Sequence, residues 1–361
     1  MWGMVPDTPN PLDILLPDRH PQPDFFICDV ADAVLKDLMP TMEHPFYALS
    51  KKPETMIRRY AHNGHWLEVI PSVKGQATIY DKDILIYAVS QIMHKVNQGE
   101  RVDRRLRFSP RELLIFVNRG TGGKDYEAFV EALERLMGTV IKTNITTHSD
   151  GSPVPLGEEE DIGLFHLIES AHVRRKNGAQ DGRILWAEIQ ISEWIFNSIR
   201  RKKVLTLHRD YFRLRKPIER RVYEIARKCC GSQPTHKVGL ENLLKRTGAR
   251  MSIKRFRHVV RDLAKHDHLP DYSVSFEEDG DNVVFISRGT VISSNVVDAA
   301  KPTQIIRLKS DTYHEARLAA PGWDVYALEQ EWRDWITEAP KNPDGAFIGF
   351  CRKIFERRGR P

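Results

Sequence analysis

The stretch TGARMSIKRFRHVVRDLAK, residues 247–265, decides how this chain reads. Thr247, Gly248 and Ala249 have the composition of a turn, and Ser252 stands where a helix-capping hydroxyl belongs. Beyond it, Ile253, Phe256, Val260 and Leu263 recur at helical spacing and mark one apolar face. That leaves Lys254, Arg255, Arg257, His258, Arg261 and Lys265 on the remaining circumference. An α-helix fits the major groove of DNA, where arginine can read guanine and other cations hold register on phosphates. A cationic surface helix with no ligand is the plainer alternative, but the flanking sequence favours a nucleic-acid helix. Helices over about 218–230 and 239–246 precede the turn, and strands over 272–276 and 283–287 follow it around an Asp279, Gly280 hairpin signal. Helix, turn, helix and hairpin together define a winged-helix unit.

Charge placement points the same way. From Arg200 to His268 the chain carries 21 Lys and Arg against 6 Asp and Glu, an excess of +15 in a protein whose net charge is +6, so the remainder sums to −9. A positive field concentrated in this way attracts a polyanion and gains from counterion release on phosphate. The cluster Arg200, Arg201, Lys202, Lys203 opens the basic region and is a second candidate for backbone phosphate, with a solvated linker as its other reading. A basic protein-interaction face or an RNA-associated scaffold is the competing use of the region as a whole.

The same outline occurs earlier in the chain. Strands between Tyr60 and Ile79 lead to a buried helix through Ile84, Leu85, Ala88, Ile92, Met93 and Val96. Ser109, Pro110 and Glu112 form a capping-box signature that opens a helix ending at the glycines of 120–123. A helix over about 124–137 and a strand over 139–146 follow. Runs at 162–168 and 184–191 are expected to close a small antiparallel wing across a polar loop at 148–161. Here the second helix carries Asp125, Glu127, Glu131 and Glu134 beside only Lys124 and Arg135, so it would repel phosphate. Protein association, or DNA contact through Arg104, Arg105, Arg107 and Lys142, suits this unit better.

The expected fold is therefore α+β: tandem winged-helix domains with a small C-terminal helical segment. A proline-rich arm spans 1–24, the first winged-helix domain 25–199, the DNA-binding winged-helix domain 200–290, a linker 291–302 and the helical segment 303–361. In that segment, helices over 325–337 and 346–358 carry Trp332, Trp335, Phe347, Phe350 and Ile354, which bury one another or bind a partner.

The sequence excludes several chemistries. With 361 residues, 41% hydrophobic and 29% charged, it holds ample core, yet no window approaches the 18 or so apolar residues of a membrane span. With no secretory signal, the reading is cytoplasmic, and the four cysteines are expected to stay reduced. Gly120–Lys124 lacks the phosphate-loop pattern, no His-Glu-x-x-His motif occurs, and no nucleophilic triad is marked. His266 and His268 bracket Asp267 rather than the apolar residue of a nickase pair. Glu158, Glu159, Glu160 and Asp161 read as a loop rather than a magnesium site. No catalytic residue, metal or cofactor is expected.

Four blocks carry a family likeness: PFYALSK at 45–51, IPSVKGQATIYDKDILIYAVSQI at 70–92, FSPRELLIFVNRGTGGKDY at 108–126 and LHRDYFRLRKPIERRVYEIARK at 207–228. In these the chain resembles plasmid replication initiators of the replication initiator protein A family, over roughly residues 25–290. The resemblance implies two winged-helix domains, repeated binding sites in double-stranded plasmid origin DNA, duplex opening and recruitment of host replication proteins. It also implies a homodimer that represses synthesis of the initiator itself. A winged-helix transcriptional regulator and, more distantly, a DNA-nicking rolling-circle initiator are the alternatives.

Overall fold

A computed structural model of the chain describes residues 34–50, 52–62, 64–145, 161–175, 184–231, 233–277, 281–289, 308–336, 340 and 342–360. The arm at 1–24, most of the loop at 148–161, the Asp279, Gly280 hairpin tip, the linker at 291–302 and positions 303–307 lie outside those residues.

The chain opens with β1 (Lys36–Leu38), α1 (Met39–Glu43), β2 (Arg58–His62), β3 (His65–Ile70) and α2 (Lys82–Asn97). Every residue of α2 from Lys82 to Met93 is buried, so all but its last turn is enclosed on all sides and serves as the central strut. There follow β4 (Arg105–Phe108), α3 (Pro110–Phe116), α4 (Gly123–Gly138), β5 (Val140–Thr143), β6 (Gly163–His166), β7 (Ile168–Arg175), β8 (Ile184–Ile191) and α5 (Glu193–Arg200). The two runs expected to form one wing join different sheets. β6 pairs with β5 at the edge of a β2-β3-β5-β6 sheet, whereas β7 pairs with β8 in a β4-β8-β7 sheet. Leu167 and Ile168, fully buried, sit where the chain passes from one sheet to the other. α3 begins at Pro110 as expected, but Ser109 makes no side-chain cap bond, so the fixed φ of proline rather than a capping box starts it.

The second half runs through β9 (Val204–Thr206), a 3-10 turn (Arg209–Arg213), α6 (Pro217–Cys230), β10 (Thr235–Gly239), α7 (Leu240–Thr247), α8 (Ile253–His266), β11 (Tyr272–Phe276) and β12 (Asn282–Ser287). β10, β12 and β11 form an antiparallel sheet in that order. β9 pairs back to β1, with Leu38 opposite Val204, and a single apolar core runs from Leu35 to Phe285.

A buried polar seam crosses this core between α2 and α6. Lys82 Nζ lies 2.6 Å from Asp37 Oδ2 and 2.9 Å from Glu224 Oε1, and Arg220 Nη1 lies 2.7 Å from Asp83 Oδ1. Glu224 also accepts from Tyr211 Oη at 2.6 Å and from Arg221 at 3.0 Å. Buried charges persist only when paired in this way.

Among the described residues, the C-terminal segment has three helices where two were expected: α9 (Ser310–Ala319), α10 (Val325–Trp335) and α11 (Pro343–Arg358). They form a second core around Trp323, Leu328, Trp332, Phe347 and Ile354. α9 escaped sequence reading because its apolar face is short, Tyr313 and Ala316 supplying most of it.

Candidate nucleic-acid interface

α8 is built as the sequence leads one to expect. Ser252 caps it, its hydroxyl accepting from the Arg255 amide at 3.4 Å, and Asp267 ends it in a left-handed conformation whose amide reaches Leu263 O at 2.9 Å. Phe256, Val260 and Leu263 are buried. Lys254, Arg255, His258, Arg261 and Lys265 are exposed, and Arg257 is partly so. Ser252, Lys254, Arg255, Arg257, His258 and Arg261 line a shallow surface concavity of about 580 Å³. Lys265 lies beyond it, toward the end of the helix.

Two acids on this face were not weighed in the sequence. Arg257 Nη2 donates to Asp281 Oδ1 at 2.6 Å, from the hairpin end of β12, and His258 Nε2 lies 3.6 Å from Asp262. Arg261 sits over the Phe276 ring, 5.7 Å from its centroid. These contacts orient the cations while leaving them accessible.

The Arg200–Lys203 cluster is not brought to that concavity. Arg200 and Lys202 are exposed at the end of α5, while Arg201 and Lys203 are half-buried. Burial, with Arg201 and Lys228 nearby, lowers the Lys203 pKa. In the first half, α4 presents Glu127, Glu131 and Glu134 to solvent. The arginines there are engaged: Arg104 with Glu169 at 2.8 Å, Arg107 with Glu188 at 3.0 Å and Arg105 with Gln190 at 3.2 Å. Lys142 lies over Trp66 at 5.9 Å.

Sequence reasoning missed a second basic concavity, of about 390 Å³, where β2 meets the α7–α8 turn. Arg58, Arg59, Lys245 and Arg250 line it. The adjacent pair Arg58, Arg59 was the only signal in the sequence, and nothing there links it to a turn about 190 residues away.

A profile of the replication initiator protein A family matches residues 36–274. A putative replication protein of Wigglesworthia glossinidia brevipalpis is 34% identical over 269 residues, covering 73% of this chain and 94% of its relative. The chain belongs to the replication initiator protein A family. Two solved chains of RctB domains 2 and 3 align at 15% identity with TM-scores of 0.45 and 0.43, over 67% and 69% of this chain. Among the described residues, no helix is long and apolar enough to cross a membrane.

Proposed function

We propose that this protein is a non-enzymatic plasmid replication initiator that binds repeated origin sequences in duplex DNA, helps to open the origin and recruits host replication proteins. On this reading β10, α7, α8, β11 and β12 are a winged helix, α8 is the helix that enters the major groove, and the β11–β12 hairpin is the wing. The observation that carries it is the division of α8 into a buried Phe256, Val260, Leu263 stripe and an open face of Lys254, Arg255, Arg257, His258, Arg261 and Lys265. Such a helix can place guanidinium forks at base edges while its flanks hold phosphates. The acidic exposed face of α4 fits association with protein, including a second copy, better than association with DNA.

The test is a binding isotherm for origin repeats of the encoding plasmid and for random duplex of equal length, each across a salt series. The reading expects tighter binding to the repeats. It expects R255A/R257A/R261A to weaken binding and flatten the salt dependence, because fewer counterions are released. Equal affinity for both duplexes removes origin specificity. Promoter repression with no support of plasmid replication favours a regulator instead, and metal-dependent strand nicking overturns the non-enzymatic reading.

A further inference from the structure

We infer that the concavity between β2 and the α7–α8 turn is a second DNA-backbone site, in which Arg59, Lys245 and Arg250 hold phosphate beside the groove entered by α8. The inference rests on the reading of α8 given above and extends it to a part of the chain far away in sequence.

Three observations support it. First, four cations, Arg58, Arg59, Lys245 and Arg250, surround one hollow whose floor is Ile57, Leu67, Val69 and Leu244. Two carboxylates stand beside them: Glu54, 3.7 Å from Arg58 and 4.0 Å from Arg250, and Glu68, opposite Arg59 on β3. Like charges around a concave, partly apolar surface repel one another until an anion enters, and the focused field attracts such an anion. Second, the two basic surfaces adjoin along the chain: Arg250 lines this hollow, and Ser252, two residues on, begins the lining of the α8 concavity. Third, the turn is fastened to the β2 side. Gly248 adopts φ +68, and a Cβ there would come within 2.6 Å of Pro45 Cβ, while Arg58 donates to the Gly248 carbonyl. That packing fixes Arg59 relative to Arg250, so one rigid surface can follow a phosphate backbone.

The cations divide the work. Arg58 is occupied by the turn and by Glu54 and serves as a positioning residue. Arg59, Lys245 and Arg250 are exposed, Arg250 sharing Glu54 with Arg58 at the longer distance. Arg59 stands at the rim: the β2–β3 register puts it with Glu68 and Trp66 on the face opposite Arg58, Leu67 and Val69, and it leans over the Trp66 ring, 5.6 Å from its centroid.

The experiment measures salt-dependent affinity of the full chain for fluorescently labelled origin duplex and random duplex, comparing wild type, R59A/R250A and E54Q. Each phosphate contact contributes roughly −0.9 to the slope of log affinity against log salt. Loss of two contacts therefore reduces the affinity drop between 50 and 200 mM salt by about 12-fold. It does so equally for both duplexes, leaving their ratio intact, because phosphate carries no sequence. R59K/R250K restores the slope, and E54Q strengthens binding to both duplexes. An unchanged slope in R59A/R250A, with the α8 triple variant still flattening it, overturns this site while the α8 reading stands. Loss of slope in neither variant overturns both. A nucleoside triphosphate that binds wild type but not R59A/R250A, with duplex slopes unaltered, identifies the hollow as a free-nucleotide site and also overturns the inference.

Discussion

The seam between α2 and α6 supports a quantitative test through Glu224→Gln. The substitution keeps the shape of the side chain and removes its charge. Glu224 and Lys82 are each 1% exposed and Asp37 3%, so none of the three can turn to water. A glutamine can still accept from Tyr211 and Lys82, but it presents an amide donor to Arg221, whose other partners are the carbonyls of Thr41, Met42 and Arg246. Removing one partner of a buried ion pair costs about 3–5 kcal/mol, roughly a fifth or more of typical domain stability. The same change alters a titration. Burial, partly offset by Lys82 and reinforced by the neighbouring Glu224 carboxylate, raises the Asp37 pKa to about 6. An acid whose folded pKa exceeds its unfolded value holds its proton more tightly when folded. Its contribution to stability is therefore present at low pH and lost as pH rises from about 4 to 6, in total roughly 3 kcal/mol. Without Glu224 that decline should shrink, because one of its causes is gone. Guanidinium unfolding followed by tryptophan fluorescence, at pH 4, 5, 6 and 7.5, measures both effects. Loss of under about 1 kcal/mol at pH 7.5, or an undiminished decline between pH 4 and 6, refutes the seam as a tie across the core.

Four further outcomes follow from named contacts. S252A removes the α8 cap and should cost about 1 kcal/mol in chemical unfolding, with duplex affinity reduced as the helix end frays. G248A forces a side chain into the left-handed region against Pro45, so its melting temperature should fall further than that of S252A. Burial depresses the His44 pKa to about 3, so its contribution is intact above the unfolded value near 6.5 and lost as pH falls toward 3. By pH 5 the loss is roughly 2 kcal/mol, and His44→Phe should flatten stability against pH across that window in urea titrations. Because α9, α10 and α11 have a separate core, a chain ending at residue 289 should still unfold in one cooperative transition. A broad, non-cooperative transition in that truncated chain would show that the helices hold the rest of the fold together.

What was legible in the sequence follows from how local the controlling physics is. α2, α4, α6, α7 and α8 all emerge near their expected bounds, because a 3.6-residue apolar repeat is written within one segment. β1 and β9 were not foreseen: each is three residues long and has meaning only when Leu38 finds Val204, 166 positions later. The assignment of β6 and β8 to separate sheets is equally non-local, since both runs look like ordinary half-buried strands. At the candidate interface, the cations of α8 were readable and the Arg257–Asp281 pair was not, because Asp281 reaches the helix only through the β11–β12 hairpin. The Arg58, Arg59, Lys245, Arg250 hollow left no more in the sequence than the adjacent Arg58, Arg59 pair, being formed by two segments packed against each other.

The charge asymmetry itself has two physical origins that the linear sequence merges. Of the 21 cations between Arg200 and His268, Arg213, Arg220, Arg221, Arg227 and Arg246 are buried. Arg220 is paired with Asp83 of α2, so part of the excess is the counterpart of acids in the other half and would persist in a protein that bound nothing. Burial also removes Asp210, Glu219 and Glu224 from the surface, however, which leaves 16 cations wholly or partly exposed against 3 carboxylates. The surface field therefore survives the correction. α8 stands apart within it because its cations are dense and share a single face, and because, on the proposed reading, Asp262 and Asp281 give Arg257 and His258 partners they must exchange on binding phosphate. That exchange offsets some affinity for any anion and penalises a poorly aligned duplex more than a well-aligned one, as specificity over a non-specific background requires. On this account Asp281→Ala should raise affinity for random duplex more than for origin repeats and narrow the ratio between them. A ratio that stays constant would reduce the pair to a surface ion pair of no consequence for recognition.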